Sequence, residues 1–287
     1  MNEKPPHSKA SSGIVELPHS KARVGTKKPQ HAKVSVGIVE PRYPQISVVI
    51  PARNEAQNLF HVLPYIPSTV GEVILVDGHS TDDTIAIAQQ LLPTIKIIKQ
   101  TGRGKGDALR LGFAACLGDI VVMLDADGSA DPREIPQFVE ALLQGNDFAK
   151  GSRFVEGGGS HDLTWLRRLG NCGLSTIVNV LFGTKFSDLC YGYNAFWRYC
   201  LDYLEINCDG FEVETFLNIR AHKACFKIVE VPSFELPRIY GASNLRTFHD
   251  GWRVLKTIVK ERRTHVQPSA QRRLLFGQIS TEKRAVK

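Results

Sequence analysis

Residues 119–127 read DIVVMLDAD, an apolar, β-branched run that ends in two carboxylates one residue apart. Such a run suits a strand buried on both faces, where covering helices leave neither side to water. Three similar runs precede it: ISVVI at 46–50, EVILV at 72–76 and IKIIK at 95–99. Helical patterns fall between and after them, at roughly 55–64, 82–92, 105–116 and 133–144. Strands and helices alternating at this interval make βαβ units and a mostly parallel sheet. Right-handed crossovers then gather the loops after the strands along one edge, where open α/β sheets bind ligands.

The polar clusters of the chain fall on that edge. Ala52-Arg53-Asn54-Glu55 follows the first run, Asp77-Gly78-His79-Ser80 the second and Asp125-Ala126-Asp127 the fourth. Side chains alternate along extended backbone, so Asp125 and Asp127 share a side. Two carboxylates so placed repel unless a cation lies between them, and Mg²⁺ or Mn²⁺ shared with substrate phosphates suits them. The competing role is helix capping. Asp131-Pro132-Arg133-Glu134 already supplies a cap, an N1 proline and an early glutamate, which releases the first two aspartates. Ser80 and Asp83 have the spacing of a capping box, whereas Asp77 ends its strand and can accept hydrogen bonds from a base edge. Gly102-Arg103-Gly104-Lys105-Gly106-Asp107 leads into a helix and lacks the P-loop pattern. A flexible backbone with Lys105 at a helix N-terminus can hold a diphosphate, so Lys105 and Asp107 join the candidate binding residues.

Composition narrows the class. The chain has 287 residues, 43% hydrophobic and 23% charged, as expected of one sizeable globular domain with extensions. Its net charge of +7 is uneven: residues 1–44 carry +5 and residues 260–287 carry +6, which leaves −4 between them. Basic tails on a mildly acidic domain suit weak attraction to an anionic membrane and give no sign of a nucleic-acid-binding core. The first tail repeats itself imperfectly from His7, His19 and His31, each copy too short and polar to bury a core, so disorder is expected there. The expected organisation is a tail at 1–44, a globular domain at 45–263 and a basic tail at 264–287. No apolar run approaches the roughly 18 residues of a membrane span, and residues 1–6 lack a signal-peptide core. The expectation is a cytoplasmic chain, peripheral at most on the inner membrane face. Six cysteines without a Cys-x-x-Cys pair read as ordinary thiols. Residues 163–182 and 248–259 have helical apolar spacing with Trp165, Arg167, Arg168 and Trp252 among them. The first is either a core helix or an amphipathic helix on a membrane face.

Taken in order, VVIPARNEAQNL (48–59), ILVDGHSTDDT (74–84), GKGDALRLGF (104–113), VVMLDADGSADPREI (121–135), KGSRF (150–154), GFEVETFLNIRA (210–221) and EVPSFELPRIYGASNL (230–245) resemble family-two glycosyltransferases of the GT-A fold. Within that family the chain is most similar to the dolichol-phosphate (polyprenyl-phosphate) mannosyltransferase branch, over about residues 45–260. The resemblance implies a nucleotide-sugar donor gripped by the turn at 51–55 (Pro51, Arg53 and Glu55 among its residues) and by Asp77. It implies a metal on Asp125 and Asp127, and phosphate contacts from Arg153, Arg238 and Ser243. Glu212 or Glu214 is implied near the sugar. Asp127, Arg153, Glu212 and Glu214 are thus the candidate catalytic residues. The chain departs from the family at Gly78-His79, at Asn194 and at Asn244, where relatives often carry Asp-Gly, Arg and Lys. Such enzymes invert the anomeric centre. A polyprenyl phosphate acceptor is already anionic, whereas a saccharide hydroxyl acceptor needs a carboxylate base. A non-catalytic nucleotide-sugar-binding protein is the third reading, against which the intact Asp125 and Asp127 argue.

Overall fold

The computed structural model describes residues 43–242 and 246–268. The expected tails at 1–44 and 264–287 therefore lie almost entirely outside the described residues. Among the described residues nine strands and seven α-helices run in the order β1 (Ile46–Ala52), β2 (Glu72–Asp77), α1 (Thr84–Leu91), β3 (Lys96–Lys99), α2 (Lys105–Ala114), β4 (Ile120–Met123), α3 (Ile135–Leu143), β5 (Phe148–Ser152), β6 (Gly159–Ser160), α4 (Trp165–Phe182), β7 (Asn194–Trp197), α5 (Leu201–Leu204), α6 (Val213–Lys223), β8 (Ile228–Pro232), β9 (Phe234–Glu235) and α7 (Thr247–Arg263).

Seven strands form one sheet in the order β3-β2-β1-β4-β7-β5-β8, and β6 pairs with β9 beside it. All pairs in the large sheet are parallel except those of β7, which runs antiparallel to both β4 and β5. The central strands β1 and β4 are apolar on both faces because both faces are covered. Val48, Ile50 and Val122 pack with Phe138 and Leu142 of α3; Val49, Val121 and Met123 pack with Leu109 of α2 and Leu217 of α6. Each such fully buried aliphatic side chain contributes about 1.5–3 kcal/mol relative to exposure. The chain leaves β1 toward β2 and β3, then returns to its other side as β4. That reversal opens a crevice at the C-terminal ends of β1 and β4, where the turn at 51–55 and Asp125-Ala126-Asp127 meet.

Three local expectations change. Residues 55–64 form two short 3-10 turns, Asn58–His61 and Leu63–Tyr65, instead of one helix. Pro64, which has no N–H to donate, and Pro67 beyond it leave no room for a longer run. The Ser80/Asp83 capping box does not form. Ser80 Oγ accepts from the Asn54 N–H instead; the N-cap of α1 is Asp83, whose side chain makes no cap hydrogen bond, while the Asp82 carboxylate accepts from Thr84 N–H at 3.1 Å. α4 is not a core helix either: only Asn171, Ser175 and Val178 of its 18 residues are buried.

Candidate active site

The crevice is a cleft of about 1570 Å³, bounded at one end by the loops after β1, β2 and β4 and at the other by α4 and the start of α7. The first two loops are sewn together by polar contacts. Asn54 Oδ1 accepts from Thr81 N–H at 2.8 Å, and Glu55 N–H donates to Thr84 Oγ1 at 2.9 Å. Asn54 and His79 both take positive φ, 57° and 63°, a conformation that short polar side chains tolerate better than most. Pro51, Arg53 and Glu55 line the cleft, together with Gly78 and His79.

Asp125 and Asp127 both line the cleft, and each already holds a cation of the protein. Lys105 Nζ lies 2.6 Å from Asp125 Oδ1 and 2.7 Å from Glu214 Oε1. Burial alone lowers the pKa of the Lys105 ammonium, but the flanking carboxylates of Asp125 and Glu214 outweigh it and hold the group above the usual lysine range. Arg238 Nη2 lies 3.0 Å from Glu55 Oε1 and 3.3 Å from Asp127 Oδ2. The other oxygen of Asp127 accepts from Ser129 N–H at 3.0 Å and from Ser129 Oγ at 2.7 Å. Burial raises the Glu55 carboxyl above its ordinary range, with Arg238 and Asn58 opposing it.

These residues fit a divalent cation. Two accessible carboxylates are the share a protein gives to Mg²⁺ or Mn²⁺ when phosphate oxygens and water complete the shell. Among the described residues no group of three or more His, Cys, Asp or Glu side chains is placed to cage a metal alone. Asp125 and Asp127 would thus supply only part of a cation's shell, and other oxygen ligands would complete it.

Other expected site residues sit differently. Asp77 is buried and turned onto its own loop, where both its oxygens accept from Ser80 N–H at 3.3 Å. Asp107 is buried between Gln100 and Arg110, away from the cleft lining. Glu212 is set back from the cleft in an ion pair with Arg253 at 2.8 Å, whereas Glu214 faces it. Arg153 reaches the lining, yet its guanidinium is spent on Asp188 at 2.7 Å and on Glu235 at 3.0 Å. Arg153 thus joins the end of β5 to β9 and the loop before β7 as a buried clamp. Ser243 lies outside the described residues.

The glycine-rich run also has another role. The Gly106 and Asp107 N–H groups at the start of α2 both donate to the Asp209 carbonyl, at 2.8 and 3.4 Å. A Cβ on Gly104 or Gly106 would collide with the Asp209 or Cys208 carbonyl. These glycines let the segment at 208–210 lie against the helix start and take up two of its N–H groups, while Gly102, Arg103, Gly104 and Lys105 line the cleft. Sequence reasoning missed Asn171 and Asp250, which line the far end. Asn171 Oδ1 accepts from Leu189 and Cys190 N–H groups, while its buried Nδ2 has no hydrogen-bond partner.

Residues 47–204 match the profile of glycosyl transferase family 2, and they include every loop on the β1, β2 and β4 side of the cleft. The chain belongs to that family. It is 31% identical to a dolichol-phosphate mannosyltransferase of Pyrococcus furiosus over 69% of this chain and 58% of that one. It is 30% identical to a polyprenol monophosphomannose synthase of Mycolicibacterium smegmatis, over 69% of this chain and 79% of that protein. Among solved structures it is similar to glucosyl-3-phosphoglycerate synthase from Mycobacterium tuberculosis in complex with UDP, with a TM-score of 0.61 and 25% identity over 79% of this chain and 82% of the other. This glycosyltransferase has the GT-A architecture expected of its sequence. Among the described residues no helix is long and apolar enough to cross a membrane.

Proposed function

We propose that this glycosyltransferase moves a hexose, mannose or glucose, from a nucleoside-diphosphate sugar to a polyprenyl phosphate, with inversion, at a membrane surface. The observation that carries the acceptor half is the far end of the cleft. It lies between α4 and α7, and those helices expose large apolar side chains: Trp165 is 76% exposed, Leu169 63%, Val180 78%, Phe248 82% and Trp252 58%. Isolated exposed apolar residues need no explanation, but aromatic and aliphatic groups on two adjoining helices that flank the cleft suit a lipid interface. Arg167, Lys256 and the basic end of α7 supply positive charge beside them. The similarity to polyprenyl-phosphate enzymes points the same way.

In this reading the loops at 51–55 and 78–79 hold the nucleotide, and Asp125 and Asp127 hold Mg²⁺ or Mn²⁺ on the donor diphosphate. The bound ion supplies charge neutralisation for the leaving group. Arg238 and Lys105 lie where phosphate oxygens arrive. The acceptor phosphate oxygen forms a bond to the anomeric carbon from the face opposite the diphosphate. The carbon–oxygen bond to the diphosphate breaks, and its electron pair stays on the departing nucleotide. A lipid phosphate needs no base, which agrees with the commitment of Glu214 to Lys105. A hydroxyl acceptor is the second reading, favoured by the similarity to a glucosyl-3-phosphoglycerate synthase; it requires Glu214 to accept a proton despite that ion pair. The domain is taken to span 45–263, with the basic tails assisting attachment to an anionic surface.

The test is a panel of nucleotide sugars, GDP-mannose and UDP-glucose among them, given with and without polyprenyl phosphate and analysed by mass. A polyprenyl-phosphate hexose is expected. Donor consumption with a saccharide acceptor but none with the lipid overturns the acceptor assignment. Transfer and donor hydrolysis that both survive Asp127→Ala overturn the metal role.

A further inference from the structure

We propose that Lys105 and Arg238 are exchangeable counter-ions of Asp125 and Asp127, so that the divalent cation and the donor diphosphate bind as one unit and the cation alone binds poorly. This rests on the donor reading of the cleft given above. Each cation bridges one aspartate and one glutamate of the cleft lining. Lys105 Nζ lies 2.6 Å from Asp125 and 2.7 Å from Glu214. Arg238 Nη2 lies 3.3 Å from Asp127 and 3.0 Å from Glu55, and its Nη1 reaches the other oxygen of Glu55 at 3.1 Å. When an aspartate is ceded to a metal ion, the displaced cation keeps its glutamate. Neither buried charge is then left without a partner, which is the outcome that makes breaking such pairs costly.

The two aspartates are prepared for this exchange in different ways. Ser129 fixes one oxygen of Asp127 through its N–H and its hydroxyl, so the carboxylate keeps its orientation when Arg238 leaves the other oxygen. Both oxygens of Asp125 lie within reach of Lys105, at 2.6 and 2.9 Å. A dication approaching alone meets two positive groups already seated on the oxygens it needs. A diphosphate arriving with it gives those groups new anionic partners, and the repulsion becomes attraction. In this exchange Glu214 and Glu55 act as positioning residues, since each holds one of the two cations beside its aspartate.

Binding of Mn²⁺ to the full chain, followed by the electron paramagnetic resonance of the free ion, tests this with Mn²⁺ alone, with UDP and with GDP. The wild type is expected to bind Mn²⁺ at least ten-fold more tightly when the matching diphosphate is present. Lys105→Met and Arg238→Gln should each tighten the binding of Mn²⁺ alone at least three-fold and shrink the gain from nucleotide. Glu214→Gln should act in the opposite direction, because it leaves Lys105 wholly on Asp125. A merely structural role moves all three variants the same way. Thermal melting checks that each variant is folded, and Arg238→Gln, in the more accessible pair, keeps the test open if Lys105→Met does not fold. Synergy in the wild type with no tightening in a folded Lys105→Met or Arg238→Gln overturns the exchange and leaves the donor site standing. No Mn²⁺ bound in any arm overturns the donor-metal reading, and this inference with it.

Discussion

Gly192 faces Lys105 so closely that a Cβ built on it would lie 2.8 Å from Lys105 Nζ, and 2.9 Å from Asp125 Oδ2. The loop before β7 therefore leaves a hollow in which the lysine and the aspartate meet. Gly192→Ala should push the ammonium or the carboxylate aside while disturbing only flexible side-chain ends. The expected outcome is a drop of roughly ten- to a hundred-fold in kcat/KM for transfer, as small misplacements in active sites produce, with a nearly unchanged melting temperature. Steady-state kinetics beside differential scanning calorimetry checks this; unchanged kinetics removes the hollow from the argument.

At Gly106 the neighbour of an added Cβ is rigid backbone, the Cys208 carbonyl. Gly106→Ala should cost about 1–3 kcal/mol of stability, the usual penalty of forcing extra volume into a packed region. Urea unfolding measures it. A variant as stable as the wild type with weaker nucleotide binding would return the glycine to phosphate recognition.

Arg153 is buried against Asp188, which is itself fully buried. Arg153→Met leaves a buried carboxylate without its main partner, and a loss of about 3–5 kcal/mol is expected. If denaturant unfolding shows little change while transfer activity collapses, Arg153 belongs to the chemistry and not to the scaffold.

The same pair predicts a pH dependence. Burial pushes the Asp188 carboxyl up, but Arg153 and Lys150 outweigh it and hold the group below the usual aspartate range. Its folded pKa is thus lower than its unfolded value of about 3.9. The stability it contributes is fully present above that value and is lost as pH falls through the folded pKa. The stability gap between wild type and Asp188→Asn should accordingly narrow below about pH 4 and stay constant above about pH 5. Unfolding curves across that range with a pH-independent gap contradict it.

On the outside of α4 and α7, replacing Trp165, Leu169 and Trp252 together by alanine should lower co-sedimentation with anionic vesicles at least five-fold. Stability should change by no more than about 0.5 kcal/mol per site, as is usual for exposed positions. Equal vesicle binding by variant and wild type rules out this face as the membrane contact.

The four runs that announced β1 to β4 were legible because the burial of a parallel strand imposes a purely local pattern, and the same pattern located Asp125 and Asp127 at a strand end. The antiparallel insertion of β7 had no such signature: Asn194–Trp197 is four residues long and its direction depends on β4 and β5 on either side. Arg153 shows the limit for side chains. Its motif was conspicuous in the sequence, but its partners Asp188 and Glu235 lie 35 and 82 residues away. The same holds for Asp107 and Glu212, whose residue types suited a site and whose neighbours turned them away from it.

The sequence by itself determined the family, through its short motifs, and the alternation of strand and helix with the gathering of the post-strand loops on one edge, through local periodicity. Only the tertiary structure decided which charged residues face the cleft and what each is already bound to. Ion pairs form between groups that are distant in the chain, and whether a carboxylate serves a ligand or the scaffold depends on the cation that the fold sets beside it.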